Sequence, residues 1–194
     1  MIKKEDHIVL DVEIQKTIEE LPRGWDDTDK MGVAVAVVYE HLTDRFRIYG
    51  PDDVEKLKER MLRADRISGY NIWRFDYNVI WGLERGKLVE ELRPKTNDIL
   101  LRIWRSLGLP LNTFTAAHKG WKLDQVMKGT FGFGKIGNGA DAPVWWKNGQ
   151  VHRVINYCID DVALERDLAA FVDKFGYVIN ETGEIVNIVP EWTP

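Results

Sequence analysis

The chain has 194 residues, of which 44% are hydrophobic and 30% charged, and a net charge of −4. This composition is typical of a globular protein that is long enough to bury a sizeable core. One cysteine excludes an internal disulfide framework and favours a reducing, cytoplasmic compartment. No apolar run approaches the ~18 residues of a membrane span, and the N-terminal segment does not read as a signal peptide. We therefore expect one cytoplasmic domain over residues 1–194, without membrane attachment.

The first half of the sequence predicts a sheet interrupted by one helix. Residues 8–14, IVLDVEI, have the apolar, β-branched character of a buried strand. Residues 33–41 and 45–50 predict two further strands around a polar turn. Residues 51–64 predict a helix, because proline and acidic residues lie in its first turn and apolar residues recur on one face. A short strand is predicted over residues 66–71.

The second half predicts mostly helices. We expect one over residues 75–86, a short one over 122–132 and a long one over 151–175, each closed by a glycine. Periodicity does not decide between strand and helix for residues 97–108. Residues 177–189 predict a hairpin. This element order indicates an α/β fold, in which helices flank a mixed central β-sheet and a β-hairpin ends the chain.

Four acidic residues in three separated motifs carry the strongest functional indication. Asp11 and Glu13 alternate along the first strand and therefore share one of its faces. Asp76 follows the short strand, and Asp161 lies four residues after Tyr157, on the same face of the long helix. Each acid alone has an ordinary interpretation, such as a helix cap or a solvated side chain. Together they predict an oxygen cage for two divalent cations, Mg²⁺ or Mn²⁺, as metal-assisted phosphodiester hydrolysis requires.

A locally basic segment over residues 115–156 suggests a track for a phosphate backbone. It holds six Lys and Arg residues against two Asp residues, a net +4 that leaves −8 for the rest of the chain. The glycine-rich run 129–139 predicts a loop that is mobile without substrate and closes over phosphates, with Lys135 as a salt-sensitive contact. Trp145 is a candidate for base stacking. A solvated surface and a purely structural loop are the alternative interpretations.

The order of the motifs, D-x-E, N-x-x-x-F-D and Y-x-x-x-D, resembles that of the DEDD superfamily of 3′–5′ exonucleases, which have an RNase H-like fold. The tyrosine before the last aspartate resembles the tyrosine subclass. Longer stretches, such as residues 64–80 and 157–168, are similar to a bacterial and phage group described as predicted RNase H-like or helicase-associated exonucleases. The resemblance covers nearly the whole chain. One departure is Ile14, where the family often has threonine.

The resemblance implies an RNase H-like, metal-dependent 3′–5′ exonuclease domain over residues 1–194 that acts on the 3′ end of single-stranded DNA or RNA. Its implied metal ligands are Asp11, Glu13, Asp76 and Asp161. Tyr157 would be a further catalytic residue that orients the attacking water, and Asn71 and Phe75 would shape the substrate cleft. A helicase or a polymerase is the implied protein partner.

Two other functions remain compatible with the sequence. One is an RNase H-like, structure-specific endonuclease or resolvase, which would use the same carboxylates. The other is a noncatalytic nucleic-acid-binding or partner-binding module. A decayed enzyme of that kind would be expected to lose at least one acid, whereas this chain retains all four.

Overall fold

A five-stranded mixed sheet forms the centre of the computed structural model, which describes residues 4–82 and 91–189. Its strands are β1 (His7–Ile14), β2 (Val33–Glu40), β3 (Arg45–Tyr49), β4 (Arg66–Gly69) and β5 (Thr96–Asp98), in the spatial order β3-β2-β1-β4-β5. The hairpin strands β1, β2 and β3 pair antiparallel. The strands β4 and β5 join the other side of β1 in parallel, so β1 lies at the junction of the two halves.

Helices cover both faces of this sheet. The described helices are α1 (Val54–Arg63), α2 (Asp76–Trp81), α3 (Ile99–Ser106), α4 (Leu123–Phe131), α5 (Ala142–Lys147) and α6 (Val151–Phe175). The strands β6 (Tyr177–Ile179) and β7 (Ile185–Asn187) form a separate antiparallel hairpin after α6. Within the described ranges, none of the helices has both the length and the apolar content for crossing a lipid bilayer.

Alternation along β1 determines which residues face which helix. Ile8, Leu10 and Val12 are buried in the core that α1 and α2 complete. Val9 is buried instead with residues of α6, among them Val154 and Val162. Asp11 and Glu13 have the same parity as Val9, so their side chains project from the sheet face that α6 covers.

The predicted α/β architecture, a mixed central sheet flanked by helices and followed by a C-terminal hairpin, is confirmed. The undecided segment 97–108 contains both kinds of structure, because β5 ends at Asp98 and α3 begins at the next residue. Asp98 itself caps α3 by accepting a hydrogen bond from the Leu101 backbone N–H, at 3.2 Å. Asp98 is both the last residue of β5 and the N-cap of α3. Because the strand and the helix adjoin at this residue, periodicity alone could not divide the segment.

Two boundaries differ from those expected. The predicted helix over 75–86 is described as α2 up to Trp81, and the predicted end at Gly86 lies outside the described residues. The short helix predicted over 122–132 is confirmed as α4, which includes Gly129, so the predicted loop over 129–139 begins only after Phe131. A Cβ atom at Gly129 would lie 2.1 Å from the Asn180 carbonyl oxygen, so this glycine permits α4 to pack closely against the C-terminal hairpin. The helix α5 was not predicted.

Candidate active site

The sheet brings two of the predicted acids directly under α6. Glu13 is buried, while Asp11 is partly exposed. The thiol of Cys158, on α6, lies 3.4 Å from the Asp11 carbonyl oxygen and 3.5 Å from its carboxylate Oδ2. Cys158 is buried, and its contact with Asp11 brings β1 and α6 close together at this point.

Asp76 reaches the same region because a tight turn follows β4. Asn71 adopts a left-handed backbone conformation with φ of 65°, which asparagine tolerates better than most residues. The buried Asp98 carboxylate accepts hydrogen bonds from the backbone N–H groups of Asn71, at 3.0 Å, and Trp73, at 2.9 Å. This clamp holds the turn that leads through Phe75 to Asp76, the first residue of α2, and Asp76 is only 2% exposed.

The helix α6 supplies the remaining groups from one face. Tyr157, Asp161 and Glu165 follow one another at four-residue intervals, and all three are buried. Asp160, one residue away and rotated by about 100°, is exposed. Tyr157 and Asp161 were predicted from the sequence, whereas Glu165 was not.

These acids form what we call the carboxylate cluster: Asp11, Glu13, Asp76, Asp161 and Glu165. The charge of Asp11 raises the pKa of the other four members, and the charges of Asp76 and Asp161 each raise the pKa of Glu13 and Glu165. Burial, followed by the charges of Asp11 and Asp161, raises the pKa of Glu13 well above its usual value. Burial and the charge of Asp11 do the same for Asp76. The four predicted metal ligands therefore lie near enough to one another for their charges to interact.

Without a cation, burial and mutual repulsion disfavour the ionised form of the acids in the cluster. Burial and the neighbouring Asp11 raise the pKa of Asp161 to about 7, and the pKa values of Asp11 and Glu165 are also raised, mainly by burial. At neutral pH the metal-free cluster consequently retains protons that a bound cation would displace.

Lys135 is the basic group that partly offsets the repulsion among these acids. Its ammonium forms an ion pair with Asp161 and lies 5.1 Å from the centre of the Tyr157 ring. Its backbone N–H donates to the Asp124 carboxylate at 2.9 Å, which anchors the loop after α4. Burial alone would lower the pKa of Lys135, but the charges of Asp161 and Asp11 raise it overall. The predicted phosphate contact thus lies inside the site rather than on a surface track.

Tyr157 is suited to donating a hydrogen bond. Burial raises its pKa above the usual value of 10, so the phenol remains protonated at neutral pH and does not act as a base. Trp145 on α5 packs edge-on against the Tyr157 ring, with 5.9 Å between ring centroids, and is half-buried. It therefore supports the tyrosine and lies beside the site, as a stacking residue for a substrate base would.

The residues present fit a hard divalent cation. The Oδ1 atom of Asp76 and the Oε2 atom of Glu165 are buried, and neither has a hydrogen-bond donor among the residues that the structure describes. Ligand atoms of Asp11, Glu13 and Cys158 lie within 4.8 Å of one another. Burial raises the pKa of the Cys158 thiol well above its usual value, whereas carboxylate oxygens are the ligands that hard divalent cations prefer.

No protein-family model matches the sequence, and no curated protein matches it significantly. Any function must therefore be inferred from the residues and their geometry.

The four predicted substrate-binding residues occupy different positions relative to the cluster. Lys135 lies within it and Trp145 next to it. Phe75 is half-buried directly before Asp76 and packs edge-on, at 6.4 Å, against the exposed Trp25, which sequence reasoning did not single out. Asn71 contributes the left-handed turn described above, through its backbone.

Proposed function

We propose that the protein is a divalent-metal-dependent 3′–5′ exonuclease that hydrolyses phosphodiester bonds at the 3′ end of single-stranded DNA or RNA in the cytoplasm. The observation that carries this proposal is the grouping of five acids in the carboxylate cluster, where Asp76 Oδ1 and Glu165 Oε2 are buried without a donor from residues 4–82 and 91–189. Burying unpaired charge is strongly unfavourable, so such a cluster persists where a function requires cations.

The predicted ligands Asp11, Glu13, Asp76 and Asp161 would hold two Mg²⁺ or Mn²⁺ ions. Bound there, the ions would activate water and stabilise the departing 3′ oxygen. Among the ligands, Asp11 has the central position, because its charge affects the pKa values of Glu13, Asp76, Asp161 and Glu165.

Two other side chains have roles of their own. The protonated Tyr157 donates a hydrogen bond that orients the attacking water, consistent with its raised pKa. Lys135 neutralises Asp161 through their ion pair, and with cations bound in the cluster its ammonium would be available to contact a substrate phosphate. This role joins the phosphate contact expected from the sequence to the ion pair seen in the structure.

The direction of cleavage and the preference for chain ends rest on the tyrosine motif. An RNase H-like endonuclease would share the carboxylates, but the Y-x-x-x-D spacing on α6 resembles the exonuclease subclass. The strained cluster argues against a noncatalytic module, because replacing a buried charge by a neutral residue would relieve the repulsion.

A time course on four substrates tests the proposal: 5′-labelled and 3′-labelled single-stranded DNA and RNA, each with Mg²⁺, Mn²⁺ or EDTA. We expect a ladder of shortened 5′-labelled products and early release of the 3′ label, with no activity in EDTA. Cleavage of a circular single strand would indicate the endonuclease instead. No cleavage of any substrate, despite Mn²⁺ binding, would favour the noncatalytic module.

Tyr157→Phe separates the role of the tyrosine from that of the metal ligands. It removes the hydroxyl without changing the ring that packs on Trp145. We expect the catalytic rate to fall by about 10²-fold, the lower part of the range for a general acid–base group, with unchanged Mn²⁺ affinity. A wild-type rate in this variant would reduce Tyr157 to a packing role.

A further inference from the structure

Glu165 is a buried acid for which the predicted motifs have no place. It lies one helical turn beyond Asp161 on the same face of α6 and is 2% exposed. Burial raises the pKa of Glu165 well above its usual value, and the charges of Asp11, Asp76 and Asp161 add to this, so its carboxyl interacts with three of the four predicted ligands.

The backbone of the sheet leaves room for this carboxyl at one glycine. A Cβ atom at Gly69, the last residue of β4, would lie 3.3 Å from the Glu165 Oε2 atom and 2.7 Å from the Leu10 carbonyl oxygen. The carboxyl therefore lies against β4, beside the β1 residue that precedes Asp11. Glu165 therefore extends the carboxylate cluster toward β4.

The buried acids that the structure describes outside the carboxylate cluster have donors that explain them. Asp98 accepts hydrogen bonds from three backbone N–H groups, and Asp27 pairs with Arg23 and Lys30. The Oε2 atom of Glu165, by contrast, has no donor within residues 4–82 and 91–189. A purely structural role does not account for an acid here, because glutamine or leucine would fill similar space without a buried, unpartnered oxygen.

We propose that Glu165 is a fifth acid of the divalent-cation site and contributes its carboxylate to cation binding beside Asp11 and Asp76. The inference rests on the proposed metal dependence of the function and extends the ligand set beyond the three sequence motifs. It also makes the buried face of α6 a source of two acids, Asp161 and Glu165, rather than one.

Titration calorimetry with Mn²⁺ alone, on the full chain without nucleic acid, tests this role. Glu165→Gln keeps the size of the side chain and removes its charge, and Asp160→Asn on the exposed face of α6 is the matched control. We expect Glu165→Gln to weaken Mn²⁺ binding by at least about tenfold and to raise the metal-free melting temperature, since it relieves repulsion. The control should change neither quantity.

Wild-type Mn²⁺ affinity in Glu165→Gln overturns the inference and leaves Glu165 as a packing residue. A second measurement does not depend on how the variant folds. In wild-type protein with ¹³C-labelled glutamate, Mn²⁺ should broaden the carboxyl resonance of Glu165 as it does that of Glu13, and spare the exposed Glu55. Broadening of Glu13 without Glu165 also overturns it.

These readouts are independent of the exonuclease proposal. If the wild type binds Mn²⁺ with the help of Glu165 but cleaves none of the substrates, the proposed function fails and the cation site stands. If the wild type binds no Mn²⁺ at all, both proposals fail.

Discussion

The two ends of β1 both gather carboxylates, but they differ in the basic groups that meet them. At the N-terminal end, Asp6, Glu40 and Arg60 form what we call the Arg60 network. Arg60 donates two hydrogen bonds to Asp6, at 2.7 and 3.0 Å, and one to Glu40, at 2.8 Å. At the other end, the five acids of the carboxylate cluster meet Lys135, the one ion-pair partner that the described residues provide.

The pKa values differ because donors outweigh burial in the Arg60 network, whereas burial is the main cause of the raised pKa values in the carboxylate cluster and neighbouring acids add to it. Burial alone would raise the pKa of Glu40, but hydrogen bonds from Arg60, Thr43 and Arg47 lower it overall. In the carboxylate cluster, burial and neighbouring acids raise the pKa of Asp161 to about 7. An acid that has enough hydrogen-bond donors forms a structural ion pair. An acid that is surrounded by other acids is a candidate for binding an external cation.

The largest expected effect is on catalysis at the cluster end of β1. Asp11→Asn removes the charge with the most neighbours in the cluster while conserving size, so we expect cleavage to fall by more than about 100-fold. The metal-free melting temperature should rise, because repulsion is relieved. Rates on 5′-labelled DNA, with Asp160→Asn as control, check this. Near-normal Mg²⁺-dependent turnover would exclude the proposed cage.

Cation binding should stabilise the cluster end and leave the Arg60 network unaffected. At a free Mn²⁺ concentration 100 times its Kd, linkage gives about 2.7 kcal/mol of added stability. For a domain of this size that is a rise of about 5–10 °C in melting temperature relative to EDTA. Asp6→Asn should lower the melting temperature in both conditions and retain the Mn²⁺-induced rise. A rise that disappears in Asp6→Asn would mean that the two ends are not independent.

Lys135→Met sharpens the comparison, because it removes the ammonium that the cluster contacts. The loss should tighten Mn²⁺ binding several-fold, since cations no longer compete with a lysine. It should also destabilise the metal-free protein by leaving Asp161 unpaired. Calorimetry measures the affinity, and the salt dependence of KM reports the phosphate contact. An unchanged Mn²⁺ affinity in this variant would place the ammonium outside the cation site.

The smallest expected effect is an acid-sensitive stability at the Arg60 network. Glu40 has a folded-state pKa below its usual value of 4.5, so its contribution to stability is present above that pH and is lost as the pH falls further. Melting temperatures of wild type and Glu40→Gln should therefore differ most at pH 7 and converge toward pH 3. A constant difference across this range would assign the effect to packing rather than to charge.

Much of the fold and the main part of the site could be predicted because they follow from periodicity. Alternation in β1 puts Asp11 and Glu13 on one face, and helical spacing puts Tyr157 and Asp161 on another. Glu165 was missed although it continues the same helical spacing. An acid in a charged helical segment has an ordinary surface interpretation, and only the packing against Gly69 distinguishes it.

Lys135 shows the other limit of sequence reasoning. The glycine-rich segment predicts a loop, but a loop has no period that fixes where its side chains point. The position of Lys135 depends on long-range contacts, with Asp124 for its backbone and Asp161 for its ammonium. The same reason explains the unexpected α5, which packs against α6 after the loop returns.

The helix α6 is continuous over 25 residues, and it carries three of the site's side chains on one stripe. Inserting or deleting a single residue between Tyr157 and Glu165 would rotate everything beyond it by about 100° and remove at least one acid from the cluster. Its C-terminal part also packs against the hairpin through Leu168 and Val172. We expect this stretch to accept many substitutions on its exposed face in descendants of this gene, but no change in length.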